Sequence, residues 1–299
     1  MSLQQFSAFT LARVDQYLAM KLNTYTPAEY LHNAMNYSLF NGGKRIRPML
    51  VYATAQLVDK ITPMTDATAA AIESIHAYSL IHDDLPSMDD DDLRRGKPTS
   101  HIQFDEATAI LAGDALQTFA FELLSDASLA APQQQLQLIQ ELVLASGRHG
   151  MVTGQMLDLD ALNKDIPLPQ LEQMHSHKTG ALIKASVRMG ALSTLAFEGD
   201  DILLSDNFKK LNTYAETIGL AFQVQDDIID LTSDTKTLGK TQFSDVNANK
   251  PTYPKLLGLD GAQSLVKKLH QEAMDQITSF GEKSQSLADI ANYIIYRNH

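Results

Sequence analysis

The chain has 299 residues, 44% of them hydrophobic and 20% charged, with a formal net charge of −12. That composition gives a globular protein with a substantial core and excludes a disordered one. The acidic balance argues against a nucleic-acid partner, which needs a basic face. With no cysteine, the chain has no disulfide, thiolate metal site or Cys nucleophile, and it fits a cytoplasmic setting.

Ala, Leu, Gln and Met are plentiful and breakers few, which favours helix over sheet. Met1 to Leu22 lacks a continuous apolar stretch and reads as an amphipathic helix, not a signal peptide. No run approaches 18 apolar residues, so no membrane insertion is expected. Ala71, Ile72, Ile75 and Tyr78 form one helical stripe; Ile218, Ala221, Phe222, Ile228 and Ile229 form another. Asn41-Gly42-Gly43, Pro63, Pro86, Gly96-Lys97-Pro98, Pro132, Gly199 and Pro251 punctuate the pattern. The spacing predicts helices over 4–22, 27–41, 45–59, 66–85, 105–126, 133–155, 169–195, 206–232, 251–258, 260–281 and 285–297. No alternating run supports a strand and no linker divides the chain. The expectation is one all-α domain over 1–299.

Two acidic clusters stand out. The first is His82-Asp83-Asp84-Leu-Pro86-Ser-Met-Asp89-Asp90-Asp91-Asp92, followed by Arg94 and Arg95. On an unbroken helix Asp89 would point away from Asp83. Pro86 displaces the residue before it from helical backbone, so a loop can return Asp89 to Asp83. Asp90 to Asp92 remain uncommitted. The second cluster places Gln223, Asp226, Asp227 and Asp230 at i, i+3, i+4 and i+7, one polar stripe on an apolar helix. Carboxylates so crowded repel unless cations neutralise them, and hard oxygens suit Mg²⁺. The spacing does not match an EF-hand, and Gly239-Lys240-Thr241 lacks the first glycine and preceding strand of a P-loop. Lys44, Arg47, Arg94, Arg95, Lys178 and Lys240 could each be solvated cations, and none is diagnostic alone.

Taken in order, Gly42-Gly-Lys-Arg-Ile-Arg-Pro48, His82-Asp-Asp-Leu-Pro-Ser-Met-Asp-Asp-Asp-Asp-Leu-Arg-Arg-Gly96, Gly154-Gln-Met-Leu-Asp-Leu159, His177-Lys-Thr-Gly180 and Gly219-Leu-Ala-Phe-Gln-Val-Gln-Asp-Asp-Ile-Ile-Asp230 resemble the motif set of the trans-isoprenyl diphosphate synthases. The resemblance implies a bundle of antiparallel helices around a deep central cavity, usually a homodimer. It implies an enzyme that condenses isopentenyl diphosphate with dimethylallyl or geranyl diphosphate. Asp83 and Asp89 from one side and Asp226 from the other would hold three Mg²⁺ ions, with Mn²⁺ an alternative. Asp84, Asp227 and Asp230 would complete the metal set through water or from behind. Arg94, Lys178 and Lys240 match the grip on the allylic diphosphate; Lys44, Arg47, His76 and Arg95 match the isopentenyl diphosphate site. Gln155 and Asp158 match a supporting pair. Thr179 and Gln223 match the dipoles facing a carbocation and, with Lys178, Asp83 and Asp226, make up the expected catalytic group.

Tyr78 lies five residues before Asp83, about 7.5 Å lower on one helix. An aromatic there, with Ser79 beside it, is similar to family members that stop at fifteen carbons. The alternatives are a geranyl or geranylgeranyl diphosphate synthase, a metal-dependent phosphohydrolase, and a non-catalytic helical subunit. Arg297-Asn-His299 is a lid candidate.

Overall fold

In the computed structural model, residues 1–24, 26–194, 203, 205–232 and 250–297 are described. Helix α1 (Leu3–Leu22) starts with a capping box in which Ser2 and Gln5 each bond the other's backbone N–H. Then come α2 (Glu29–Leu39), α3 (Ile46–Val58) and α4 (Pro63–Asp83). Pro63, a breaker in the sequence pattern, occupies the first turn of α4, where its missing N–H costs nothing, and Thr62 caps it. A two-residue hairpin follows, β1 (Leu93–Arg94) and β2 (Lys97–Pro98), before α5 (Ser100–Gln103), α6 (Glu106–Leu124) and α7 (Pro132–Ser146). The chain continues through α8 (Met151–Ala161), α9 (Leu168–His175), a π-helical turn (Ser176–Gly180), α10 (Ala181–Leu192) and α11 (Asp206–Thr232). It ends with α12 (Tyr253–Ile277), a 3₁₀ segment (Thr278–Ser284) and α13 (Gln285–Tyr296).

Two expected helices differ in the structure. The helix expected over 133–155 is two helices: Gly147 caps the first, and a Cβ at Gly150 would stand 2.0 Å from the Ala145 carbonyl oxygen. The helix expected over 169–195 contains the π turn. Past Pro251, both expected breaks appear, at Gly258 (φ 71°) and Gly281 (φ 61°).

Helix α4 is buried on almost every side, and its run of alanines, with Ile72 and Ile75 fully enclosed, lets α1, α2, α3, α6 and α10 approach closely. Helix α11 runs beside α10, α12 and α13. One contiguous apolar cluster links these helices. Arg45 enters this core in left-handed backbone (φ 50°). Its guanidinium lies 2.6 Å from Glu73, 2.9 Å from Asp15 and 2.6 Å from the Leu39 carbonyl oxygen. The outcome is a fixed turn that aims its neighbours Lys44 and Arg47 elsewhere.

Candidate active site

Helix α4 ends at Asp83, just ahead of Leu85-Pro86. The carbonyl released there accepts the Asp89 N–H at 2.9 Å, and the Leu85 carbonyl accepts those of Met88 (2.8 Å) and Asp90 (3.1 Å). The loop thus folds Asp89 back onto Asp83. The Asp83 carboxyl is pushed up to about 6: burial is the main cause, Lys178 opposes it, and Asp89 and Asp84 add repulsion. Asp84 is buried, with Arg94 Nε at 2.8 and 2.9 Å from its two oxygens. Asp91 reaches the same guanidinium at 3.5 Å.

The hairpin turns at Arg95 and Gly96, both at positive φ (56° and 76°), the backbone that a tight two-residue turn requires. Arg95 Nη1 donates to the Gly42 carbonyl oxygen. A Cβ at Gly43 would lie 2.6 Å from that guanidinium, so only glycine allows this approach. His76, Arg94 and Arg95 line a small pocket between α2, α4 and the hairpin. Burial, with Arg47 and Arg95 nearby, holds His76 neutral. Arg47 Nε is buried without a partner, as expected for a cation that awaits an anion. Lys44 Nζ lies 5.7 Å from the Tyr293 ring centre.

On α11, Asp226 is the more exposed carboxylate and pairs with Arg297, whose guanidinium also covers the Phe222 ring at 4.0 Å. Asp227 and Asp230 are buried. Asp227 accepts from Gln223 Nε2 at 3.2 Å and from the Tyr253 N–H, in the first turn of α12, at 3.0 Å. Gln223 Oε1 in turn accepts from Thr179 Oγ1 at 3.0 Å, which fixes both ends of the amide.

Lys178 and Thr179 ride on the π turn. Gly154 makes room for it: a Cβ there would fall 2.0 Å from the Lys178 backbone nitrogen. Gly219 does the same on the α11 side, 3.2 Å from the Gly180 Cα. Lys178 Nζ is 2.6 Å from Asp158. Lys250 bridges Asp158 (3.8 Å) and Asp89 (3.1 Å). Burial would raise the Asp158 carboxyl, but Lys178 and Lys250 outweigh it and hold the group low. Both amide atoms of Gln155 are buried without partners. Tyr78 is buried and Ser79 bonds back to the His76 carbonyl oxygen at 2.9 Å.

The structure therefore brings Asp83, Asp89, Asp158 and Lys178 together, and adds Lys250, which sequence reasoning missed. A lone lysine before a proline carries no local signal, since its partners lie far back in the chain. Lys240 and the last two residues lie outside the described residues.

Among the described residues no three acid or histidine side chains already converge at ligand distance. Asp84, Asp89, Asp158 and Asp226 are each instead paired with a protein cation. The donors are all carboxylate oxygens, and Asp83 is short of positive charge, which fits a hard divalent cation such as Mg²⁺.

An all-α bundle with two acidic helix segments and a ring of arginines and lysines describes an isoprenoid-synthase fold. The chain belongs to the polyprenyl synthetase family, whose model matches residues 28–292. It is 54% identical over 269 residues to the farnesyl diphosphate synthase of Escherichia coli (strain K12), covering 88% of each chain. A crystal structure of a protein from Marinomonas sp. MED121 superposes with a TM-score of 0.85 at 63% identity over 99% of both chains. A geranyltransferase from Helicobacter pylori, solved with magnesium and isoprenyl diphosphate, gives a TM-score of 0.81 at 34% identity over 97% of this chain and 96% of that one.

Proposed function

We propose that this chain is a farnesyl diphosphate synthase, condensing isopentenyl diphosphate with dimethylallyl or geranyl diphosphate to a fifteen-carbon product. The observation that carries this reading is the loop that stacks Asp89 on Asp83 beside Lys178, with Asp226 on a second helix. Mg²⁺ held by Asp83 and Asp89 on one side and Asp226 on the other would neutralise the leaving diphosphate. Asp84, Asp227 and Asp230 support the set from behind, Asp84 through Arg94 and Asp227 through the first turn of α12.

The chain's own residues do the rest. Arg94, Lys178 and Lys250 take up charge as the allylic C–O bond breaks and the diphosphate leaves with the electron pair. Lys44, Arg47, His76 and Arg95 hold isopentenyl diphosphate so that its double bond meets the cation, which is orientation and not acid–base chemistry. His76 is kept neutral, so the cation count of that pocket rests on the other three. The Thr179 hydroxyl and the Gln223 amide oxygen present dipoles that stabilise positive carbon without bonding to it. A new C–C bond forms, and the departed diphosphate removes the proton that restores a double bond.

Incubation with both diphosphates and Mg²⁺ should give a fifteen-carbon product, lost on adding EDTA and restored by excess Mg²⁺. No condensation with any allylic starter would sink the reading. Tyr78→Ala should shift output to twenty carbons or more, whereas an unchanged product would remove Tyr78 from its role as ruler.

A single domain, cytoplasmic placement and a homodimer complete the proposal. Helix α6 is long and apolar enough to cross a membrane, yet Ala109, Ala112, Gly113, Leu116 and Ala120 are buried in the fold. Its outer Ile110 and Leu111, with Val143, Leu144, Val152 and Met156 on α7 and α8, leave apolar surface for a second copy to cover.

A further inference from the structure

The small pocket walled by His76, Arg94 and Arg95 has a volume of about 30 Å³. That is too little for a diphosphate but room for an ordered water, which needs roughly 10–15 Å³. The charged groups around it are already matched. Arg45 pairs with Glu73 at 2.6 Å, Arg94 with Asp84 at 2.8 Å, and Arg95 donates to the Gly42 carbonyl oxygen. Three oxygens on the side toward α2 and α5 are not matched: Ser38 Oγ, Asn41 Oδ1 and Ser100 Oγ are buried without a hydrogen-bond partner. Unpartnered buried oxygens are uncommon, and three on the walls of one cavity point to a shared ligand. The walls themselves are held independently. Tyr37 Oη donates to the Pro98 carbonyl oxygen at 2.7 Å, and the Thr99 N–H to that of Asp92 at 2.9 Å.

His76 is the remaining polar side chain on the wall. Burial, with Arg47 and Arg95 nearby, keeps its ring neutral. A neutral imidazole donates through one nitrogen and accepts through the other, so whatever bonds one nitrogen decides the role of its partner. We propose that this cavity holds one ordered water that fixes the His76 tautomer from behind the isopentenyl diphosphate site. The Ser38 and Ser100 hydroxyls donate to the two lone pairs of the water. Its two O–H groups go to Asn41 Oδ1, which can only accept, and to one His76 nitrogen, so every bonding capacity is met. The other His76 nitrogen then carries the ring proton and presents an N–H to the diphosphate. Ser38, Asn41 and Ser100 are positioning residues, acting through the water and His76 without touching substrate. The inference rests on the reading of His76 as part of the isopentenyl diphosphate site.

Two measurements test it. A high-resolution crystal structure of the unmodified protein should show one ordered water within hydrogen-bond distance of Ser38, Asn41, Ser100 and His76. Steady-state kinetics with geranyl diphosphate and Mg²⁺ should then separate the substrates. In the double variant Ser38→Ala/Ser100→Ala, KM for isopentenyl diphosphate should rise about 5–10-fold, while kcat and KM for geranyl diphosphate stay within about two-fold. His76→Ala should raise the same KM by itself. In that background the serine pair should add less than about two-fold, because the ring through which it acts is gone. A cavity without the water overturns the inference, whatever the kinetics. So does a serine double variant with the parental KM for isopentenyl diphosphate, or an equal serine effect with and without His76. A rise in both KM values together with a lower melting temperature would show a merely structural role and overturn it as well. If His76→Ala keeps the parental KM, the placement of His76 in the substrate site fails and this inference falls with it; an absent water sinks the inference alone.

Discussion

Replacing Asp83 with Asn is expected to stabilise the metal-free protein while removing most of its condensation activity. The folded carboxyl titrates at about 6 against an ordinary 3.8, chiefly because it is buried. Between those values the folded chain binds a proton that the unfolded chain has released. The contribution of this carboxyl to the stability of the metal-free protein is therefore greatest below 3.8 and falls as pH rises to about 6. Asn imitates the protonated form at every pH, so the gain at pH 7 should be about 1–3 kcal/mol at roughly 1.4 kcal/mol per pKa unit. Thermal unfolding in EDTA measures it: the variant should melt higher at pH 7, and the difference should vanish near pH 4. The same substitution removes a charged oxygen from the proposed metal set, and condensation should fall by about 10²–10³-fold or more. A variant that melts no higher in EDTA would contradict the buried-carboxylate account, and one that retains full turnover would contradict the metal role.

Gly154→Ala should be the most damaging substitution that touches no charge. The added methyl would meet the Lys178 backbone 2.0 Å away, and backbone cannot rotate aside as a side chain can. The π turn must shift, taking with it Lys178 from Asp158 and Thr179 from Gln223. A displacement near 1 Å at reacting groups costs on the order of 10²-fold in rate. Steady-state kinetics should show a fall in kcat, with overpacking costing about 1–3 kcal/mol in a parallel melt. An alanine variant with parental kcat would mean that the π turn does not position the site.

The sequence made the helices legible because their apolar spacing is local. It did not show the split at Gly147–Gly150 or the π turn at 176–180. Both depend on how closely one backbone approaches another, and Gly154 and Gly219 act on residues in separate helices. In the site, Pro86 was enough to return Asp89 to Asp83, since a proline's effect on its neighbour is local. The run Lys44-Arg45-Ile-Arg47 was not separable by eye. Left-handed backbone and ion pairs with Glu73 and Asp15 take Arg45 into the core, while Lys44 stands against the Tyr293 ring and Arg47 Nε is left without a partner. Lys250 was invisible because its partner Asp89 lies 161 residues earlier.

The protein's internal ion pairs have a thermodynamic consequence. Lys178 and Lys250 now neutralise Asp158 and Asp89, and Arg297 neutralises Asp226. If Asp89 and Asp226 held a divalent cation as proposed, their hold on Lys250 and Arg297 would weaken, freeing those side chains for an anion. On the proposed reading, metal and diphosphate would recruit one another. Linkage requires the effect to be reciprocal, with each ligand raising the affinity for the other by the same factor. With neither ligand bound, these described carboxylates and cations satisfy each other.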